Sequence, residues 1–410
     1  MTKRTRRDVL VGGSAIAAAQ VIGFPAIAQG KKYDDGATDT TIKIGHSGPY
    51  SGNASAYGNI GRTIEAVFKM VNDNGGINGR KIEFITYDDG YSPPKTVEMV
   101  RKLVEQDEVL FLFNTLGTPP NTAIHKYMNG KKVPQLFVAT GASKWGHPKE
   151  FPWTMGWQPD YAIEGAIYAK HILGTVKEPK IAILMQNDDY GKDYYNGFLA
   201  GLGKANEKLI VQRATYEVTD PTVDSQMIQL KNSGANVFFN ITTPKFAAQA
   251  IKKAAEIGWK PVHYLNNVSS SFGSVFRPAG IEASQGIMLA LYRKDANDPQ
   301  WKDAADIKAF KEFMAKYMPQ ADIKDDTHNY GYAVTQTVIE VLKRCGDNLT
   351  RENIMKQAAS LQALDLPLLL PGIKIHTSAT DFYPLQAVRL ARVKGETFEL
   401  FGDILANESK

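Results

Sequence analysis

The feature that most constrains this chain is a regular alternation of short apolar runs with longer amphipathic ones, sustained from Thr41 to Leu265. The pattern predicts strands at Thr41 to Gly45, Lys81 to Tyr87, Val109 to Phe113, Gln135 to Ala139, Lys180 to Met185, Val211 to Tyr216, Val237 to Ile241 and Val262 to Leu265. Between them, apolar residues three or four apart predict helices such as Ile60 to Asn72, Thr96 to Glu105, Ile163 to Leu173, Tyr194 to Ala205, Val223 to Lys231 and Phe246 to Ile257. Strands separated by helices form parallel sheets covered on both faces, so the fold class is α/β. About eight such units exceed what one open sheet needs, which predicts two doubly wound parallel-sheet lobes. A break in composition at residues 148–159, with two Trp and three Pro, marks the expected crossover between them. Helices are expected again at Trp301 to Met318, Tyr330 to Lys343 and Arg351 to Gln362, and short antiparallel strands from Ile373 to Asp403 turning at Gly395-Glu396. The expected division is residues 40–160 with 292–372 in lobe 1 and residues 161–291 with 373–405 in lobe 2.

Ahead of this pattern, Arg4, Arg6 and Arg7 precede an apolar run from Val9 to Phe24 and an A-x-A site at Ala26-Ile27-Ala28. That is the layout of an export signal of residues 1–28, and Thr5-Arg6-Arg7-Asp8-Val9-Leu10 resembles the twin-arginine motif. Cleavage near Ala28 removes four basic residues and one acidic one, lowering the formal net charge from +5 to +2. A nearly neutral chain without a basic tract points away from nucleic acid, and no later segment reaches the about 18 apolar residues a membrane span needs. A single cysteine, Cys345, allows no internal disulfide, so stability must come from buried core.

The search for reactive patterns returns little. There is no phosphate loop and no G-x-G-x-x-G after a strand, and the seven histidines never fall at H-x-x-x-H spacing. No cofactor and no metal are therefore expected. Gly141-Ala142-Ser143-Lys144-Trp145 approaches a nucleophile elbow, but Trp145 stands where that turn needs a small residue, so a secreted hydrolase using Ser143 is the rival reading. The acid pairs Asp88-Asp89 and Asp188-Asp189 lie at strand ends, where turn and capping roles are expected.

The motifs Ile42-Lys43-Ile44-Gly45, Gly48-Pro49-Tyr50-Ser51-Gly52, Tyr57-Gly58, Asn74-Gly75-Gly76-Ile77-Asn78-Gly79-Arg80, Asp88-Asp89 and Asn187-Asp188-Asp189-Tyr190-Gly191 follow one another in order. In these the chain resembles the type I periplasmic binding proteins of the branched-chain amino-acid (Leu/Ile/Val-binding) ABC transporter family. The resemblance implies two lobes joined by a three-segment hinge, a small-molecule ligand in the cleft, a membrane ABC permease as partner and no enzymatic activity; with the export signal the expected location is the periplasm, and without a long apolar patch in the sequence a monomer is expected. A ligand-sensing module shares the fold and is separated by its partner.

Loops at the carboxyl ends of parallel strands are where such sheets bind ligands. Leu116-Gly117-Thr118 follows the third strand, and Thr118 is expected to cap the next helix with its hydroxyl and N–H facing a carboxylate. By resemblance, Ala139, Thr140 and Gly141 contact the ligand's polar head through backbone groups and a hydroxyl. Tyr57 and Tyr190 match aromatic pocket positions, and Thr242 matches a further contact in the second lobe. Near Asn266-Asn267 the amino-acid binders carry a glutamate for the ligand's ammonium; here both residues are neutral. With Asn267 on the site, the expected ligand has a carboxylate and no α-ammonium, because an unpaired buried ammonium is costly. Aromatics in or beside loops, Tyr50, Tyr57, Trp145, Trp157, Tyr190, Phe272 and Tyr330, favour an aromatic acid, as does a tail at residues 370–384 that looks like that of aromatic-carboxylate binders. Branched-chain or other amino acids are the alternative ligand.

Overall fold

The alternation becomes two stacked α/β units in a computed structural model that describes residues 30–406. The export-signal reading falls outside the described residues. In the first unit, strands β2 (Thr41–Gly48), β3 (Lys81–Asp88), β4 (Phe111–Phe113), β5 (Gln135–Val138) and β6 (Thr154–Gly156) form a parallel sheet in the order β3-β2-β4-β5-β6. Helices α1 (Gly58–Asp73), α2 (Pro93–Glu105) and α3 (Thr118–Lys131) return the chain between these strands. A short pair of β1 (Lys32–Tyr33) with β12 (Asn348–Leu349) lies beside this sheet.

The second sheet runs β14-β13-β11-β10-β9-β7-β8. Its parallel part is β7 (Ile181–Gln186), β8 (Ile210–Tyr216), β9 (Val237–Ile241), β10 (Val262–Leu265) and β11 (Met288–Leu291). It is covered by α4 (Tyr161–Thr175), α5 (Asp189–Leu202), α6 (Asp224–Asn232), α7 (Pro244–Glu256) and the short turns α8 (Arg277–Ala279) and α9 (Ile281–Ser284). Two antiparallel strands, β13 (Ala387–Lys394) and β14 (Thr397–Ala406), extend it around the expected turn at Gly395-Glu396, so this sheet is mixed. Central strands β4, β7 and β9 are buried at every residue, as strands covered on both faces must be.

Three passages join the sheets: after β6, after β11, and before β13. The middle passage leads into α10 (Ala305–Tyr317), α11 (Asp326–Cys345) and α12 (Arg351–Ala358), and α10 and α11 pack on α1. The crossover expected over residues 148–159 begins only after Gly156, because Thr154–Gly156 pairs with β5 as the edge of the first sheet. Helices α4 and α5 cross closely at Gly165, Gly197 and Gly201, where an added Cβ would overlap Tyr194 O, Ala162 O and Ala166 Cα respectively. Cys345 is buried at the end of α11, and its thiol is pushed up to about 12 by burial, which makes it an inert core residue.

Candidate functional site

Loops after β2, β3, β4, β5, β7, β9 and β10 meet around a narrow cavity between the two sheets. All are carboxyl-end loops, so the parallel topology itself brings them together. The lobes also touch directly. Tyr57 Oη donates to Val268 O at 3.1 Å, Asn53 Nδ2 donates to Val218 O at 2.7 Å, and Lys245 Nζ donates to Asn53 Oδ1 at 2.9 Å. Ser143 Oγ donates to Asp193 Oδ1 at 2.6 Å and Lys144 pairs with Asp189 at 2.7 Å, tying the loop after β5 to α5.

Of the residues expected from the sequence, Tyr57, Leu116, Gly117, Thr118, Ala139, Tyr190 and Asn267 line the cavity. Thr140, Gly141 and Thr242 do not. Thr140 Oγ1 lies 2.6 Å from Thr118 Oγ1 and accepts from Trp145 Nε1 at 3.2 Å, so it props the wall from behind. Gly141 is where the chain presses on Tyr161, whose ring atom Cδ1 would lie 2.7 Å from an added Cβ; the site needs glycine for packing. Thr242 turns its hydroxyl to Asn240 Oδ1 at 2.7 Å, and its neighbour Thr243 reaches the wall instead.

The expected polar grip from backbone amides is also revised. Ala139 N–H is bound to Thr115 O at 2.9 Å and Thr140 N–H to Val138 O at 2.9 Å, so neither is free for a ligand. Thr118 does not cap α3. Gly117, at φ 96°, takes the N-cap position, and Thr118 is the first helical residue. Because Pro119 and Pro120 have no N–H, Thr118 supplies the one backbone donor in that first turn.

Asn267 faces the cavity, and Asn266 turns back to donate to Asn240 O and Thr242 O at 3.0 Å each. Directly behind Asn267 lies Glu164 of α4, with no exposed surface. Its carboxylate accepts from Asn267 N at 2.8 Å, Tyr168 Oη at 2.7 Å, Tyr194 Oη at 2.8 Å and Asn267 Nδ2. Burial outweighs these donors and pushes the Glu164 carboxyl up to about 7. Every lone pair facing Asn267 is thus committed to holding that loop.

The charges on the wall itself come from residues the sequence left unmarked. Arg293, just beyond β11 in the middle passage, pairs with Asp326 at the start of α11 and donates from Nη1 to Tyr292 Oη at 2.8 Å. Its guanidinium carbon lies 4.6 Å from the Tyr292 ring centroid and 5.1 Å from that of Tyr330. Burial, with Asp295 and Asp325 nearby, pushes the Asp326 carboxyl up to about 7 against the pull of Arg293. Tyr91, Tyr161 and Tyr292 join Tyr57, Tyr190 and Tyr330 on the wall. Of the other flagged aromatics, Tyr50, Trp145, Trp157 and Phe272 lie off it; Trp157 Nε1, for example, is spent on Thr337 Oγ1 at 2.8 Å. Three buried polar atoms on the wall have no partner among the described residues: Tyr190 Oη, Ser274 Oγ and Arg293 Nε.

Two α/β lobes linked by three passages, with their strand-end loops closing on one shared cavity, define a hinged solute-binding clamp. Ser143, with its hydroxyl on Asp193, sits in that clamp as a lobe-to-lobe contact and not as a nucleophile. The family model described as periplasmic binding protein matches residues 41–397, and this chain belongs to that family, among the type I proteins of the branched-chain amino-acid ABC transporter group. The family consists of binding proteins, not enzymes. Leu/Ile/Val-binding protein homolog 1 of Brucella suis is 27% identical over 359 residues, covering 84% of this chain and 86% of its own length. A fatty acid ABC transporter substrate-binding protein from Thermomonospora curvata superposes with a TM-score of 0.77 at 22% identity, over 93% of this chain and 96% of that one. An ABC transporter solute-binding protein from R. palustris in complex with benzoate gives 0.74 at 22% identity, over 90% and 98%. At these identities the two solved structures show a shared fold.

Proposed function

We propose that this protein captures a small aromatic monocarboxylate in the cavity between its lobes and passes it to a membrane ABC permease. The observation that carries this reading is the wall itself: six tyrosine rings, Tyr57, Tyr91, Tyr161, Tyr190, Tyr292 and Tyr330, with one buried guanidinium against the last two of them. A flat ring among them gains roughly 0.5–1.5 kcal/mol beyond simple burial, and the same wall carries a cation to pair with an acid group. The benzoate complex on the same fold is consistent with such a ligand. Titration calorimetry against benzoate, hydroxybenzoates, cinnamates, octanoate, leucine and valine tests the reading, with a Kd of about 1 µM or tighter expected for at least one aromatic acid. Leucine or valine binding with none for aromatic acids would sink the ligand assignment.

One observation favours a second ligand class. Asp326 places a carboxylate on the wall, which the neutral Asn266-Asn267 pair had argued against. An amino acid inserted between Arg293 and Asp326 would meet a partner for each of its charges, and the same panel distinguishes the two.

A further inference from the structure

Arg293 and Asp326 form a wall shared by two spaces. One is the main cavity; the other is a narrow chamber behind it, where Asp295 also faces in. Arg293 is 9% exposed, Asp326 22%. On the guanidinium, Nη2 is held by Asp326 and Nη1 by Tyr292, while Nε has no partner. On the acid side, Asp295 Oδ2 is likewise unpartnered. A buried guanidinium with a vacant donor on a cavity wall is costly unless something arrives to use it, and a carboxylate accepts from two guanidinium nitrogens in parallel.

We propose that Arg293 is the anion anchor of the cavity, and that Asp326 is its resident counter-charge, which gives up its hold and takes a proton when a ligand carboxylate binds. This rests on the carboxylate reading above. Before binding, one guanidinium faces the Asp326 carboxylate, with Asp295 across the chamber. A ligand carboxylate adds a further negative charge beside a largely buried ion pair. Two anions cannot share one buried cation cheaply, so the group whose charge is least favoured is neutralised. The charged and titratable groups around Asp326 are Arg293, Tyr292 and Asp295 on the middle passage, with Tyr330 one turn along α11. Asp325 and Lys324 precede the helix; Lys324 is engaged by Glu396 of the β13–β14 turn. Ser271, from the loop after β10, accepts from Asp326 N–H at 3.3 Å. None of these places a second cation on Asp326. The carboxyl already sits near neutrality through burial, so the proton comes from solvent.

The sign follows from the linkage. Binding takes up a proton, so affinity rises as pH falls, and the slope flattens once Asp326 is protonated before binding. For one linked proton, the acid binds about tenfold more weakly at pH 8 than at pH 6. The experiment is calorimetry on the full chain at both pH values, with benzoate, 4-hydroxybenzoate, octanoate, leucine and benzamide, for wild type, Arg293→Met, Asp326→Asn and the double variant. The double variant removes both charges at once, so it leaves no lone buried ion to unfold the protein. The expected result has three parts. A carboxylate binds wild type and loses thirtyfold or more in both variants lacking Arg293; Asp326→Asn binds it at least as tightly and without pH dependence; benzamide is indifferent to every change. A carboxylate that binds the double variant within threefold of wild type overturns the anchor and leaves the ligand reading standing. If leucine alone binds, the aromatic reading fails, and the anchor stands or falls on whether leucine is lost with Arg293. Carboxylate affinity that is flat with pH in wild type overturns the role of Asp326. Binding of benzamide alone, or of no carboxylate at all, overturns both proposals.

Discussion

Gly117 is held where few side chains would fit. Its φ is 96°, and an added Cβ would lie 2.5 Å from Cε2 of Tyr91, itself a non-glycine residue at φ 63°. Two positive-φ positions in contact on a cavity wall locate the Tyr91 ring. Gly117→Ala should therefore cost about 2 kcal/mol in urea unfolding and weaken ligand binding as well, whereas a purely local strain would leave affinity untouched. Tyr190 gives the opposite split. Its hydroxyl is buried without a partner, so Tyr190→Phe should leave stability unchanged or raise it by up to about 1 kcal/mol. If the ligand uses that hydroxyl, affinity falls several-fold in the same variant; unchanged affinity would remove Tyr190 Oη from the contact set. The sequence exposed Tyr57 and Tyr190 through their motifs. It could not expose Arg293 and Asp326, because they lie in stretches of different character and meet only through the middle passage.

At the level of elements, Glu164 links helix α4 to the loop that carries Asn267. When protonated, the carboxyl can donate to Tyr168 Oη, which then turns its own hydrogen to Leu265 O, 2.9 Å away. The folded carboxyl titrates near 7, above the ordinary glutamate value of 4.5. Its contribution to stability is therefore fully present below about pH 4.5 and is lost as pH rises through about 7, a difference of roughly 3 kcal/mol. Glu164→Gln should flatten that part of the stability profile in urea melts at pH 5 and pH 8, leaving the part due to Asp326. Equal slopes in wild type and variant would show that Glu164 keeps its charge. Short apolar runs bounded by helical patterns were readable because composition and burial agree: β9 and β10 fall on Val237–Ile241 and Val262–Leu265 as expected. Thr154–Gly156 was hidden by its brevity amid Trp and Pro, and Met288–Leu291 by residues that favour helices as readily as strands. The helix start at Thr118 was misread by one residue because a glycine, not a hydroxyl, occupies the cap.

For the whole molecule, a few polar contacts at the cleft rim tie one lobe to the other. Asn53 stands at the centre of one set, donating to Val218 O and accepting from Lys245. Replacing Asn53 and Lys245 by Ala should shift the equilibrium toward the open form by about 1–2 kcal/mol, roughly five- to thirtyfold. Small-angle scattering of ligand-free protein should then report a larger radius of gyration, and ligand affinity should fall in proportion to the closed fraction lost, by at most that factor. An unchanged radius with unchanged affinity would mean that the rim contacts do not govern closure. The helical layer that α1 shares with α11 has a consequence for biosynthesis. Thr63 Oγ1 of α1 lies 2.8 Å from His328 Nδ1, and Gly331 packs against Thr63. The ribosome finishes α1 at Asp73 but does not deliver its partner until the segment from Asp326 to Cys345 emerges. Until then Ile60, Ile64 and Val67 lack part of the surface that buries them, so nascent chains cut off before α11 should be the ones that chaperones hold and proteases clear.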